Sequence, residues 1–263
     1  MKFGSVCSGI EAASVAWCRE LGWEAAWVSE IDPFPCAVLA HRYPDVPNYG
    51  DMTTLPERIL SGEIEAPELL CGGTPCQAFS VAGKRRSLDD ERGNLSLSFC
   101  EVADAIDTVN ASHGREPCVV FWENVPGVLS TKDNAFGCFL GELVGADAPL
   151  PPAADRWAGA GLVSGPKRTA AWRILDAQHF GVPQRRRRVF LVASAREGFD
   201  PAKVLFEPPC VRGDPPTGTE PERGVAGYIE GSFGAYREER FAAPVRSAGG
   251  TLGGGSESLI VEE

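Results

Sequence analysis

The chain has 263 residues, 43% of them hydrophobic and 23% charged, which is the composition of a globular protein long enough for one large α/β domain with or without a small appendage. No apolar run approaches the roughly 20 residues of a membrane helix, and the opening MKFGSVCSGIEAASVAW lacks a signal-peptide core and cleavage site, so a cytoplasmic protein is expected. The net charge of −11 argues on average against nucleic acid, yet basic residues cluster at Lys84–Arg86 and Arg185–Arg188, and a mostly acidic protein can hold a basic cleft.

Residues 3–7, FGSVC, read as a short apolar strand, followed by a turn at Ser8-Gly9. Residues 11–21 read as a helix, with Ala16, Trp17 and Leu21 at helical spacing. Residues 24–29, EAAWVS, suit a second strand. Pro33 then opens a helix over 34–42, which Pro44 and Pro47 end. Residues 69–71 form a short strand before the turn GGTPC, residues 95–110 a helix, and residues 118–122, CVVFW, a strand. Residues 134–145 read as a helix, residues 169–179 lead to a turn at Gly181 and Pro183, and residues 188–193, RVFLVA, are a β-type run. Strand and helix patterns alternate over the first 195 residues, the signature of βα units and a mostly parallel sheet covered on both faces. After about residue 206 the character changes. PPCVRGDPPTGTEPERG is turn-rich and SAGGTLGGGSE glycine-rich, with no obvious helix or long apolar strand. The expected division is a domain over 1–205 and, over 206–263, either a Gly/Pro-rich tail or the start of a further, truncated domain.

Four places along this frame carry candidate chemistry. In a doubly wound sheet, the turn after the first strand lets a ligand approach the backbone at a helix N-terminus. Gly9 stands there, although no G-x-G-x-x-G is present. Glu30, after the second strand, is the kind of group that holds ribose hydroxyls, whereas Asp32 suits a helix cap. Asp51 follows a third turn and is placed to meet an adenine amino group. These three places suit a nucleoside-type cofactor, with an ordinary βα turn as the plainer alternative. The second place is GGTPCQAFS at 72–80, where a Cys in a Gly- and Pro-fixed loop near basic residues is either an activated nucleophile or a spare buried thiol. The third is FWENVPG at 121–127, which puts Glu123 and Asn124 at a strand end, for catalysis or for capping. The fourth is GVPQRRRRVF, where an extended backbone sends Arg186 and Arg188 to one side and Arg185 and Arg187 to the other.

Cys76 and Glu123 matter as a pair. Cytosine C5 is a poor nucleophile, and a thiolate added at C6 turns it into an enamine-type carbon. A carboxyl group at N3 stabilises the charge that develops. The nine Cys include no CxxC pair and there are three His, so no metal site is expected.

Together these segments resemble the DNA cytosine-5 methyltransferase family, in a flavour like its phage and prophage members. FGSVCSGIE is similar to the first cofactor motif, SEIDPF to the second and the Gly50-Asp51 turn to the third. GGTPCQAFS resembles the catalytic Pro-Cys motif, RGNL at 92–95 the short motif that follows, FWENV the Glu-Asn-Val motif and QRRRRV the Gln-x-Arg-x-Arg motif. The resemblance covers residues 3–193. It implies a Rossmann-like class I fold with a seven-stranded type of sheet flanked by helices. It also implies S-adenosylmethionine as cofactor, S-adenosylhomocysteine as product, double-stranded DNA as substrate, and neither metal nor membrane.

By that resemblance Cys76 attacks the base and Glu123 contacts it. Arg188 contacts the base oxygen, with Arg186 in support. Ser8, Gly9 and Ile10 surround the methionine end of the cofactor, and Glu30, Ile31, Asp51, Met52 and Pro75 complete its site. Gln77, Ser80, Lys84, Arg85, Arg92, Asn124 and Gln184 serve the loop and the DNA.

The sequence departs from the family in having Ser5 where an Asp is usual, and Glu11 and Ala12 where Gly is usual. The downstream Arg-rich motif, a full target-recognition domain and the final helix are not evident. The expectation is therefore a chain completed by a second protein chain, a truncated one, or a minimal form. Two other functions stay open: a catalytically impaired or partner-dependent DNA-binding half, and a cytosine-5 methyltransferase acting on tRNA.

Overall fold

A computed structural model describes residues 1–75, 95–181 and 183–206, together with the backbone of 227–230, 235–238 and 257–259. The chain forms two compact units: Met1–Arg173 with Val189–Glu207, and Ile174–Arg188 with Pro208–Glu263.

Short apolar runs become the inner strands of a seven-stranded sheet. β1 (Lys2–Val6) pairs in parallel with β2 (Glu24–Ser29) on one side and β3 (Leu69–Gly72) on the other, and β3 pairs in parallel with β4 (Val119–Asn124). β7 (Arg187–Ser194) then runs antiparallel to β4, with Asn124 opposite Val189, and β5 (Ala160–Ser164) runs antiparallel to β6 (Thr169–Asp176). The order is β2-β1-β3-β4-β7-β6-β5. The expected parallel sheet is thus one half of the molecule's sheet. Beyond β4 the β4–β7 and β5–β6 pairs are antiparallel, and β6 follows β5 through a tight connection rather than a crossover helix.

Adjacent residues on β4 point to opposite faces, and each finds an aromatic cluster. Phe121 meets Trp17 of α1 (Ala12–Leu21) edge-on at 5.3 Å, and Trp17 in turn meets Phe3 at 5.2 Å. Trp122 stacks on Phe139 of α5 (Ala135–Val144) at 4.4 Å, and Phe136 of that helix meets Trp157 and Trp172 edge-on. The sheet is therefore covered on both sides. α2 (Pro33–Arg42) begins as its sequence indicates, with Asp32 accepting the Phe34 N–H at 3.0 Å.

α4 (Leu95–Ser112) is joined to the turn before β6 through Arg168. This guanidinium is 3% exposed and meets Asp107 at 2.6 Å, Asp104 at 2.7 Å and the Leu143 carbonyl at 3.1 Å. β4 extends two residues beyond the apolar run, so Glu123 and Asn124 are strand residues. α3 (Leu55–Leu60), β5 and α6 (Pro201–Leu205) are short elements that the hydrophobic pattern does not mark.

The second unit contains a separate antiparallel sheet of β8 (Gly227–Glu230), β9 (Ala235–Glu238) and β10 (Glu257–Leu259), in the order β10-β8-β9. These three- and four-residue strands lie in the tail that reads as free of long apolar strands.

Candidate active site

Three turns meet at the carboxyl ends of β1 and β2. After β1 the backbone passes through left-handed conformations at Cys7, Gly9 and Glu11. The Glu11 N–H donates to the Ser8 carbonyl at 2.9 Å, closing the turn. Ser8 Oγ lies 3.0 Å from the Ser5 carbonyl and accepts the Ser29 N–H at 3.2 Å, which ties this turn to the end of β2. Ser29 Oγ donates to the Gly50 carbonyl at 2.6 Å, bringing in the third turn. Asn48 completes the frame: Oδ1 accepts the N–H groups of Glu30 (3.0 Å) and Gly50 (3.1 Å), and Nδ2 donates to the Glu30 carbonyl (3.1 Å).

The Glu30 carboxylate accepts the Gly9 N–H at 2.8 Å, and also those of Ile31 (2.8 Å) and Asp32 (2.9 Å). A carboxylate offers about four acceptor positions, so one remains for a ligand hydroxyl. Asp51 is exposed and caps the 3-10 turn Met52–Thr54 through the N–H and hydroxyl of Thr53, both at 2.9 Å. Met52 is buried, and its sulfur lies 3.9 Å from that of Cys7. Beside these carboxylates, Ile10 and Ile31 are 58% and 73% exposed. Two carboxylates and two exposed apolar side chains thus gather around these turns, a set of groups suited to a nucleoside ligand.

The second group lies at the ends of β3 and β4. Thr74 is 2% exposed, and its hydroxyl lies 2.9 Å from that of Ser96 at the start of α4. It also accepts the Trp122 Nε1–H at 3.0 Å, and its carbonyl accepts from Asn124 Nδ2 at 2.9 Å. Thr74 is therefore joined to β4 twice, and the strand end carrying Pro75 is fixed against it. Gly72 and Gly73 permit this approach. A Cβ at 72 would lie 2.5 Å from Val6 Cγ2, and one at 73 would lie 3.2 Å from the Glu123 Oε2 atom. Glu123 is half-buried beside that loop. Cys76, Gln77, Ser80, Lys84, Arg85 and Arg92 lie outside the described residues.

Gln184, Arg186 and Arg188 belong to the second unit. Asp176 caps the 3-10 turn Ala177–His179, and its Oδ1 accepts the Arg186 N–H at 3.0 Å. The Arg186 carbonyl in turn accepts the Ala177 N–H at 3.1 Å. Arg188 donates to the Arg187 carbonyl at 2.8 Å.

Burial pushes the Cys7 thiol up to about 11, with the charges of Glu30 and Asp51 adding to it, and burial likewise raises Cys71, Cys100 and Cys118. These four are poor thiolates. Among the described residues no cluster of His, Cys, Asp and Glu could hold a metal ion, and no helix is long and apolar enough to cross a membrane. Asn48, Ser29, Thr74, Ser96 and Trp122 were not singled out from the sequence. Asn48 alone had a local signal, as an Asn two residues before a turn glycine.

The family described as "C-5 cytosine-specific DNA methylase" matches residues 1–146 and 167–206. A protein of Escherichia phage P1 called a DNA N-6-adenine-methyltransferase is 46% identical over 93% of this chain and 40% of its own length. The type II methyltransferase M.AquIA of a Picosynechococcus strain is 33% identical over 73% of this chain and 71% of its own. M.NgoBV of Neisseria gonorrhoeae is 30% identical over 72% of this chain and 39% of its own. The chain thus spans about 40% of the length of the phage P1 and Neisseria relatives. Among solved structures, Spodoptera frugiperda DNMT2 superposes with a TM-score of 0.52 at 21% identity, covering 77% of this chain and 52% of the other. A DNA modification methyltransferase described as putative, from an Escherichia coli prophage, gives 0.52 at 20% identity, over 74% and 46%. These two likenesses establish the Rossmann-like class I methyltransferase fold. With that family matched over most of this chain, the chain belongs to the C-5 cytosine-specific DNA methylase family.

Proposed function

We propose that this chain transfers a methyl group to C5 of a cytosine flipped out of double-stranded DNA, through a covalent bond between Cys76 and C6. The observation that carries this reading is the seating of Glu123 against Gly73, three residues before Cys76, on a loop that Thr74 and Asn124 fasten to the same strand. Glu123 thus stands beside the chain segment that leads to Cys76, and holding acid and nucleophile near one another is what proximity catalysis requires. Cys76 adds as thiolate to C6. Glu123 holds N3 and the amino group, so the electron pair displaced from the C5–C6 bond is stabilised as it reaches C5. C5 then takes the methyl group, a base or water accepts the C5 proton, and β-elimination breaks the bond between Cys76 and C6.

S-adenosylmethionine supplies, when bound, an electrophilic methyl group on a sulfonium and leaves as S-adenosylhomocysteine. Glu30 and Asp51 hold its ribose and adenine, Ser8, Gly9 and Ile10 its methionine end, and Ile31, Met52 and Pro75 close around it. Arg188 meets the base oxygen with Arg186 in support. Gln77, Ser80, Lys84, Arg85, Arg92, Asn124 and Gln184 serve the loop and the DNA. The base reaches Cys76 only by leaving the helix.

The name of the phage P1 relative raises a second reading, methylation of adenine N6. An exocyclic amine attacks a methyl group without covalent help from a thiol, so a Cys–Glu corner has no part in that reaction. The relative matches over only 40% of its length. Labelled methyl transfer to duplex DNA and to tRNA, followed by nucleoside analysis, separates the readings. The expected product is 5-methylcytosine in DNA. N6-methyladenine, or label confined to tRNA, overturns the proposal.

A further inference from the structure

Glu11 combines two unfavourable features at one residue. Its φ of +64° is left-handed, a region that favours glycine and penalises a Cβ. Its side chain is 1% exposed, with one oxygen, Oε2, buried and without a hydrogen-bond partner among the described residues. A glycine would avoid both. Strain of this kind persists where the surrounding structure has a use for it.

The geometry indicates the use. Glu11 Oε1 accepts the Ser14 N–H at 3.1 Å and lies 3.3 Å from the Ser14 hydroxyl, so the side chain caps α1 from inside. Its own N–H closes the turn onto Ser8. The carboxyl group therefore fills the underside of the turn whose outer side presents the Gly9 N–H to Glu30 and Ile10 to solvent.

We propose that Glu11 is a positioning residue for S-adenosylmethionine: it props the 7–11 turn from beneath in the shape that receives the cofactor. This rests on the reading of that turn as part of the cofactor site. Burial raises the Glu11 pKa, while the hydroxyls of Ser5, Ser14 and Ser8 pull the other way, and no cation contributes. Burial thus disfavours its charge, and a glutamine keeps the same length and shape without one.

Calorimetric titration of S-adenosylmethionine into the full chain and into its Glu11→Gln and Glu11→Gly variants, with thermal unfolding of each without cofactor, tests this. Glu11→Gln is expected to bind within about threefold of the parent, and Glu11→Gly to bind about tenfold or more weakly. Glycine relieves the left-handed strain and is a fair N-cap, so Glu11→Gly is expected to unfold at the parent's temperature or above. Lower affinity without lower stability is what a merely structural residue does not give. Equal affinity in Glu11→Gly, or a loss of affinity that tracks a loss of Tm, overturns the proposal while leaving the cofactor site intact. If the parent chain itself binds no cofactor, the reading of the turn falls and the proposal with it.

Discussion

At the scale of single residues, the loop before Cys76 works by what it leaves out. A methyl group at position 73 would lie 3.2 Å from Glu123 Oε2 and 3.3 Å from its carbonyl oxygen, close enough to displace the carboxylate by a few tenths of an ångström. Gly73→Ala is expected to slow covalent capture of cytosine about tenfold, roughly 1.4 kcal/mol of barrier, with little change in Tm. Single-turnover adduct formation checks this, and an unchanged rate would separate Gly73 from the chemistry. Glu11 gives a pH signature. Its folded pKa lies above the ordinary 4.5 because burial disfavours the charge, so its contribution to stability is whole below that value and is lost as pH rises through the folded pKa. The groups facing it are Ser5, Ser8, Ser14, Tyr43 and Cys71. Urea unfolding of the parent and Glu11→Gln from pH 4 upward, about where ordinary carboxylates titrate, should show the parent losing ground to the variant as pH rises. Parallel curves would contradict a buried acid. Glu30 and Glu123 could be picked out from the sequence because each stands at the end of an apolar strand, and Asp51 because it follows a glycine turn. Thr74 could not, since its partners Ser96, Trp122 and Asn124 lie 22 to 50 residues away.

At the scale of elements, α4 is the shared support. Its first turn supplies Ser96 to Thr74, and its later turns supply Asp104 and Asp107 to the buried Arg168. Removing one partner of a buried ion pair leaves charge uncompensated and costs about 3–5 kcal/mol. Arg168→Ala is expected to lower urea stability by that order, because Asp107 then loses its cation and Asp104 keeps only Lys167. A loss comparable to that of an exposed pair would show that the clamp is not what holds β6 to α4. Most of the long elements follow from hydrophobic periodicity. The short ones do not: β5 alternates between half-buried and exposed residues without a strong apolar face, and α3 has six residues. The antiparallel half of the sheet was also hidden, since strand direction depends on the connection and leaves no mark in the pattern of apolar residues.

At the scale of the whole molecule, the net charge of −11 makes Arg185–Arg188 a local concentration of positive charge in an acidic chain, the setting that the proposed contact with DNA needs. The alternation of strands and helices indicated the α/β class. The order of the motifs, rather than any one of them, indicated the chemistry, because each segment alone also suits a turn, a cap or a spare thiol. The central claim is that Cys76 is the covalent nucleophile toward cytosine C6. Its most direct test is incubation with S-adenosylmethionine and duplex DNA carrying 5-fluorocytosine, in which fluorine blocks loss of the C5 substituent and traps the intermediate, followed by mass spectrometry of the digested complex. The account predicts a denaturation-resistant adduct on the peptide that contains Cys76, absent from a folded Cys76→Ser variant. An adduct on another residue, or one that survives Cys76→Ser, would contradict it.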